Sequence, residues 1–266
     1  MRDRLTIWVP ALLIFIAESF NFLGQVEVCQ AVHVLNVLVC IFLPVGLGTD
    51  WALPQAYSLI SIIRIVNIAI PRFFTYNLFN YVPVYAAAII GAFVVMRESR
   101  TLRQFASDTR RMLASALRRE REDPKRWFWL FGLGIFMFYL LANMEFQIIR
   151  PQALIPEMSL YWLSVLAIVM IVFVGFGEEL MFRAILQRRL QTKLGIYNGI
   201  FLASALFAAM HAGYLNLTYL FYVFLVGLML GLAYQWTKSL GLVSLVHGGI
   251  NFFLFSFLPY GQLRLF

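Results

Sequence analysis

Residues 174–186 read VGFGEELMFRAIL and place two adjacent glutamates and an arginine inside an apolar run. Glu179 and Arg183 are four residues apart, so on a helix they share one face in the favourable order, acid before base. Glu178 is turned about 100° away from that pair, since an α-helix has 3.6 residues per turn. The stretch therefore predicts a helix with one internal ion pair and one carboxylate that faces elsewhere.

The sequence on both sides of this stretch is typical of a membrane protein. Of the 266 residues, 62% are hydrophobic and only 13% are charged. Apolar runs of roughly 17–25 residues, the length that crosses a bilayer, recur from one end to the other. We expect about nine such spans, near residues 6–23, 31–48, 55–70, 80–96, 127–147, 159–180, 197–213, 217–236 and 241–258. Because the third and seventh runs are short, eight spans and one re-entrant or interfacial segment are the alternative. The predicted fold class is all-α, a polytopic transmembrane helical bundle of eight or nine membrane helices.

Basic residues divide the chain and indicate its orientation. Residues 1–96 hold the first four spans, residues 97–126 form one long basic segment, and residues 127–266 hold the remaining spans. With nine spans, the basic N-terminus, residues 97–126 and residues 187–193 fall on one face, which the positive-inside rule makes cytoplasmic. The net charge of +8 is thereby explained by topology, and no nucleic-acid partner is expected.

The basic segment 97–126 carries apolar residues at roughly helical spacing. This pattern predicts an amphipathic helix on an anionic lipid surface, and a solvated connector is the alternative. The apolar residues are Leu102, Phe105, Met112, Leu113 and Leu117.

Neither the first apolar run nor the two cysteines suggest processing or cross-linking. The first run lacks a small-residue cleavage site, so we expect it to remain as the first span. Cys29 and Cys40 form no disulfide framework or zinc pattern, and we interpret both as small apolar side chains.

Two further polar pairs lie in apolar spans downstream. FAAMH places Phe207 and His211 on one helical face, and HGGIN places His247 and Asn251 on another. Small residues, which let membrane helices approach closely, flank all three sites. They are Gly175, Gly177, Ala208, Ala209, Gly213, Gly248 and Gly249. The glutamates, the two histidines and the asparagine are therefore predicted to meet in one cavity.

This set of side chains suits the hydrolysis of an amide. Glu178, with no partner on its own helix, can accept a proton from water, and His211 can hold that water and transfer the proton. His247 and Asn251 carry side-chain N–H groups that suit an oxyanion hole. No serine or cysteine lies beside a histidine in a way that suggests a covalent nucleophile.

Together the three motifs resemble the CPBP family of intramembrane proteases, which contains the CAAX prenyl endopeptidases of the Rce1 type. The family pattern is EExxxR, FxxxH and HxxxN/D on successive segments. It matches Glu178 to Arg183, Phe207 to His211 and His247 to Asn251, and the likeness covers roughly residues 127–258. No family motif matches residues 1–96, which we interpret as an accessory membrane region beside a catalytic membrane domain at 127–266.

The resemblance implies a glutamate-dependent protease. Glu178 and His211 would activate water, His247 and Asn251 would stabilise the oxyanion, and Glu179, Arg183 and Phe207 would support the site. The family has also been described as metalloproteases, so zinc at Glu178, His211 and His247 is the alternative. HExxH is absent, and the sequence favours a site without metal or other cofactor.

A site within the bilayer predicts a hydrophobic, lipidated or membrane-anchored peptide or protein as substrate, for an integral multi-pass protein of a prokaryotic cell membrane. The alternative function is an ion- or proton-coupled transporter, or a non-catalytic scaffold. A transporter would usually show internal repeats, which this chain lacks. Glu18, Arg64 and Glu145 match no motif and are expected to form interhelical pairs or to extend toward the interface. The alternative is that one of them lines the path of the substrate.

Overall fold

A computed structural model of the chain describes residues 2–69, 77–98 and 124–265, together with the single positions 107, 110 and 114. The described residues form nine long helices and no strand. The helices are α1 (Arg2–Phe22), α2 (Val26–Leu47), α3 (Ala52–Ala69), α4 (Tyr81–Glu98), α5 (Pro124–Ile149), α6 (Leu160–Leu194), α7 (Ile196–Ala209), α8 (Leu217–Thr237) and α9 (Leu240–Phe255).

Eight of these helices are long and apolar enough to cross a membrane. The exception is α9, an apolar helix of 16 residues. The predicted class, an all-α bundle of eight or nine membrane helices in an integral membrane protein, is confirmed. The seventh helix is short, as expected, with 14 residues, and it reaches spanning length only together with the 3₁₀ turn that ends at Tyr214. The prediction of an amphipathic helix falls on residues 97–126, which lie almost wholly outside the described residues, so it stays a prediction.

Helix α6 packs against α3, α4, α7, α8 and α9 and is longer than the apolar run predicted. The run was expected to end near residue 180, but the helix has 35 residues and continues to Leu194. Arg189 in its basic end is buried, and its guanidinium donates to the backbone carbonyl of Ala52 at the start of α3. Hydropathy therefore marked the end of the apolar run and not the end of the helix. Gly195, with φ of +83°, separates α6 from α7.

The glutamate stretch lies between two wider helical turns. Val169–Gly175 and Leu180–Gln187 are π-helical, and Phe176–Glu179 between them is α-helical. π-Helical turns are rare and are often found at functional sites. The sequence, interpreted with α-helical periodicity alone, did not predict them.

Helices α6 and α9 cross at very short distance because glycines face each other. A Cβ atom on Gly175 would lie 2.7 Å from the carbonyl oxygen of Ser244. A Cβ atom on Gly248 would lie 2.5 Å from the Cα of Ile171. The predicted role of these small residues is thus confirmed at this crossing, which brings His247 beside the glutamates.

Candidate active site

Glu179, Arg183 and His247 form a buried charged cluster. The Nε of Arg183 donates to Oε2 of Glu179 at 2.9 Å, as the spacing of four residues predicted. Nδ1 of His247 lies 3.0 Å from Oε1 of the same carboxylate. Glu179 and Arg183 are both completely buried. One carboxylate therefore ties α6 to α9 and orients the imidazole of His247.

The two other nitrogens of Arg183 lack a hydrogen-bond acceptor among the described residues. The guanidinium instead lies over the ring of Phe207, with 5.1 Å from its central carbon to the ring centroid. A cation over an aromatic face is favourable and more so when water is excluded. The ring also packs against His211 in a tilted arrangement, at 5.0 Å between centroids, and edge-on against His247, at 5.7 Å. Phe207 thus supports three of the predicted residues at once.

Glu178 faces away from this ion pair, as predicted, and meets a residue that no motif indicated. The hydroxyl of Tyr85, on α4, donates to Oε1 of Glu178. Oε2 is buried without a hydrogen-bond partner among the described residues. It lies 3.7 Å from Nε2 of His247. Glu178 therefore keeps one carboxylate oxygen for a reactant.

His211 follows the last turn of α7 and is held by its own backbone. Nδ1 lies 2.9 Å from the carbonyl oxygen of Phe207. Because a carbonyl oxygen only accepts, Nδ1 must carry the hydrogen, and in the neutral ring Nε2 holds the lone pair. His211 can therefore accept a proton at Nε2.

One cavity of about 670 Å³ is lined by Glu178, His211, His247 and Asn251. The four residues predicted to converge from three motifs thus line the same space, with Phe207 on its wall. Asn251, one turn beyond His247 on α9, is half-buried there.

Residues without a motif complete the cavity. Arg64 and Tyr85 reach it from the first four helices, and Glu145 and Tyr219 from α5 and α8. The Tyr219 hydroxyl donates to Oε1 of Glu145 at 2.8 Å. Charge within an apolar span was the available signal for Arg64 and Glu145. Tyr85 is uncharged and is one of several aromatic residues in its span, so the sequence did not distinguish it from the others.

The donor atoms for the alternative zinc site do not converge. Among the described residues, one set of three potential metal ligands has donor atoms that all lie within 4.8 Å of one another. It consists of Glu18, Cys29 and His33, which belong to none of the three motifs. Glu178, His211 and His247 do not form such a set, although zinc bonds of about 2.0–2.2 Å require close donors. A zinc ion held by those three side chains would need at least one of them to move.

One comparison with known proteins falls on the part of the chain that holds the three motifs. Residues 160–253 match the family model described as Type II CAAX prenyl endopeptidase Rce1-like. A protein of Bacillus subtilis (strain 168) described as uncharacterized protein YpbD is 31% identical over 124 residues. That alignment spans 44% of this chain and 61% of that relative, which is less than two thirds of its length. No solved structure gives a significant match. The resemblance expected from the three motifs is confirmed for residues 160–253, the Rce1-like segment of this chain in the sense that it is similar to that family model.

Proposed function

We propose that this chain is an intramembrane endopeptidase that hydrolyses a peptide bond in a lipidated or membrane-embedded substrate. The observation that carries the proposal is the cavity that Glu178 shares with His211 and His247, where Oε2 of Glu178 has no hydrogen-bond partner among the described residues. The family description, a CAAX prenyl endopeptidase, supports a prenylated, membrane-anchored substrate. The cavity lies among helices that cross the membrane, which suits such a substrate.

In the proposed mechanism a water molecule binds between Glu178 and His211. Glu178 accepts its proton, with Nε2 of His211 as relay, while the water oxygen bonds to the scissile carbonyl carbon. The C–N bond then breaks, and the proton passes to the leaving amine. Water is the nucleophile, so the chain forms no covalent intermediate.

The proposed oxyanion hole consists of His247 and the side-chain amide of Asn251. Because Nδ1 of His247 points to Glu179, only Nε2 can face the substrate, and it donates only while the ring is protonated. The amide of Asn251 donates regardless of protonation. Removal of one such donor typically lowers kcat by roughly 100- to 1,000-fold.

The test is cleavage of prenylated membrane peptides by the purified chain, with Glu178→Gln and His211→Ala as variants. Glu178→Gln keeps the shape and removes the base, so we expect at least a roughly 100-fold loss of kcat. Glu27→Gln, at an exposed position on α2, is the matched control and should cleave like the wild type. Full activity of both site variants would overturn the assignment.

A chelator arm separates the proposed chemistry from zinc catalysis. We expect cleavage to persist after metal removal. Loss of activity that zinc restores would replace the proposed mechanism with a metal-dependent one.

A further inference from the structure

Helices α1 to α3 contain a buried network of polar side chains that the proposed chemistry does not use. The carboxylate of Glu18 accepts from Nε and Nη2 of Arg64, at 2.6 and 3.0 Å. Nε2 of His33 lies 3.1 Å from Oε1 of Glu18, and Asn21 donates to Oε2 at 2.9 Å. Each of these contacts stabilises charge that would otherwise be costly inside a membrane protein.

The network continues behind His33, so its ring is fixed on both sides. Nδ1 of His33 lies 3.1 Å from the hydroxyl of Ser61, which also accepts from Asn36 at 2.9 Å. Glu18, His33, Asn36 and Ser61 are all at most 1% exposed. His33 therefore fixes the carboxylate of Glu18, and that carboxylate fixes the orientation of the Arg64 guanidinium.

The guanidinium of Arg64 extends from this network to the segment that carries His211. Its Nη2 donates to the backbone carbonyl of Met210, the residue directly before His211. That carbonyl lies at the C-terminal end of α7, where backbone acceptors lack partners within the helix and a cation is favourable. Arg64 also lines the cavity of the candidate active site.

We propose that Arg64, held by Glu18 and His33, is a positioning residue that fixes the turn bearing His211. The proposal rests on the function proposed above, because His211 matters for catalysis only if the site is hydrolytic. It assigns a role in the site to residues 1–96, which lie outside the Rce1-like segment. Arg64 acts through His211 and does not take part in the bond changes.

A metal at Glu18, Cys29 and His33 explains the same cluster less well. Both oxygens of Glu18 already accept from Arg64, Asn21 and His33. A divalent cation bound to Glu18 would also lie close to the guanidinium of Arg64, which bonds the same carboxylate, and the two positive charges would repel each other. The ion-pair network is therefore the arrangement that the contacts favour.

The experiment uses the full chain in lipid nanodiscs with 13C-labelled histidine rings. The chain has three histidines, so His33, His211 and His247 give three signals. Arg64→Met removes the guanidinium donors to Glu18 and to the carbonyl of Met210. We expect it to shift the signals of His33 and His211 while that of His247 stays in place. Glu18→Gln should give the same pattern, because it removes the charge that holds Arg64.

Arg189→Met is the matched control for the loss of a buried arginine. Arg189 also donates to a backbone carbonyl but does not line the cavity. We expect it to leave the His211 signal unchanged. If Arg64→Met does not fold, Arg64→Lys replaces it. A single ammonium keeps the charge but cannot reproduce the planar contacts to Glu18 and Met210, so His211 should still shift.

Kinetics provide the second readout. A histidine displaced by about 1 Å can lose roughly 100-fold in rate, so Arg64→Met should lower kcat by about 10- to 100-fold and leave KM within about twofold. If the wild type cleaves nothing, the proposed function fails, and the histidine signals still decide the role of Arg64. An unmoved His211 signal in the folded variant, or an equal shift of His247, would overturn the positioning role.

Discussion

The hydrogen bond from Tyr85 is expected to orient the carboxylate of Glu178, and Tyr85→Phe tests this role. The Tyr85 hydroxyl is the donor to the carboxylate of Glu178, whose other oxygen has no hydrogen-bond partner among the described residues. Tyr85→Phe leaves that carboxylate without this donor, and hydrogen bonds to charged groups contribute about 1.5–3 kcal/mol. We expect kcat for peptide cleavage to fall by roughly 10-fold because the base is no longer held in one orientation. Steady-state kinetics measure it.

The control for Tyr85→Phe is Tyr222→Phe in the same cavity. Tyr222 donates its hydroxyl to the backbone carbonyl of Leu141 at 2.8 Å and makes no hydrogen bond to Glu178. This variant loses a buried hydrogen bond without touching the base, so kcat should stay within about twofold. Equal losses in both variants would mean that Tyr85 matters only for packing.

At the residue scale the motif positions were predictable and their partners were not. Glu178, His211, His247 and Asn251 line one cavity, as the three motifs indicated. The contact of His247 with Glu179 was missed, because spacing along one helix says nothing about which residue of another helix lies opposite. The place of Tyr85 on the cavity wall was missed for the same reason, and that of Arg64 was predicted only as an alternative.

At the scale of helices, the crossing of α6 and α9 depends on Gly248. A Cβ atom there would lie 2.5 Å from the Cα of Ile171, a backbone atom that cannot rotate away. Overpacking of this kind costs about 1–3 kcal/mol, so Gly248→Ala should lower the unfolding midpoint measured by tryptophan fluorescence. The same substitution moves His247 away from the glutamates, so cleavage should fall as well.

Gly241→Ala is a control on the same helix. A Cβ atom at Gly241 meets nothing within 4 Å. Alanine favours a helix over glycine by about 1 kcal/mol, so this variant should be as stable as the wild type or more stable. A Gly248→Ala protein as stable as the Gly241→Ala protein would show that the crossing tolerates a wider separation.

Helix existence followed from the sequence more readily than helix ends did. The nine apolar runs correspond to the nine helices, because apolar length alone makes a segment span a bilayer. The end of α6 at Leu194 was missed because Arg189, beyond the apolar run, is held by a contact with the first residue of α3. Tertiary contacts of this kind leave no periodic trace in a sequence.

At the scale of the whole molecule, the first four helices complete the cavity rather than stand apart from it. Arg64 on α3 and Tyr85 on α4 contact the segments that hold His211 and Glu178. A Cβ atom on Gly177 would lie 3.1 Å from the ring of Tyr85, so α4 and α6 pack closely beside the glutamates. Residues 1–96 are therefore either an accessory region, as the sequence indicated, or a region that the site requires.

A split protein distinguishes these two possibilities. Co-expressed fragments 1–98 and 124–266 should associate in the membrane, because preformed helices recombine through the same packing and hydrogen bonds that hold the intact bundle. We expect fragment 124–266 alone to cleave at least roughly 100-fold more slowly than the pair, since it lacks the groups that orient Glu178 and His211. Affinity capture of one fragment measures association, and peptide cleavage measures function.

As a control, fragment 1–98 with Arg64→Met and Tyr85→Phe should still associate through its apolar faces but restore much less activity. If fragment 124–266 alone cleaves as fast as the pair, residues 1–98 are not needed for the site, and the roles of Arg64 and Tyr85 would be wrong.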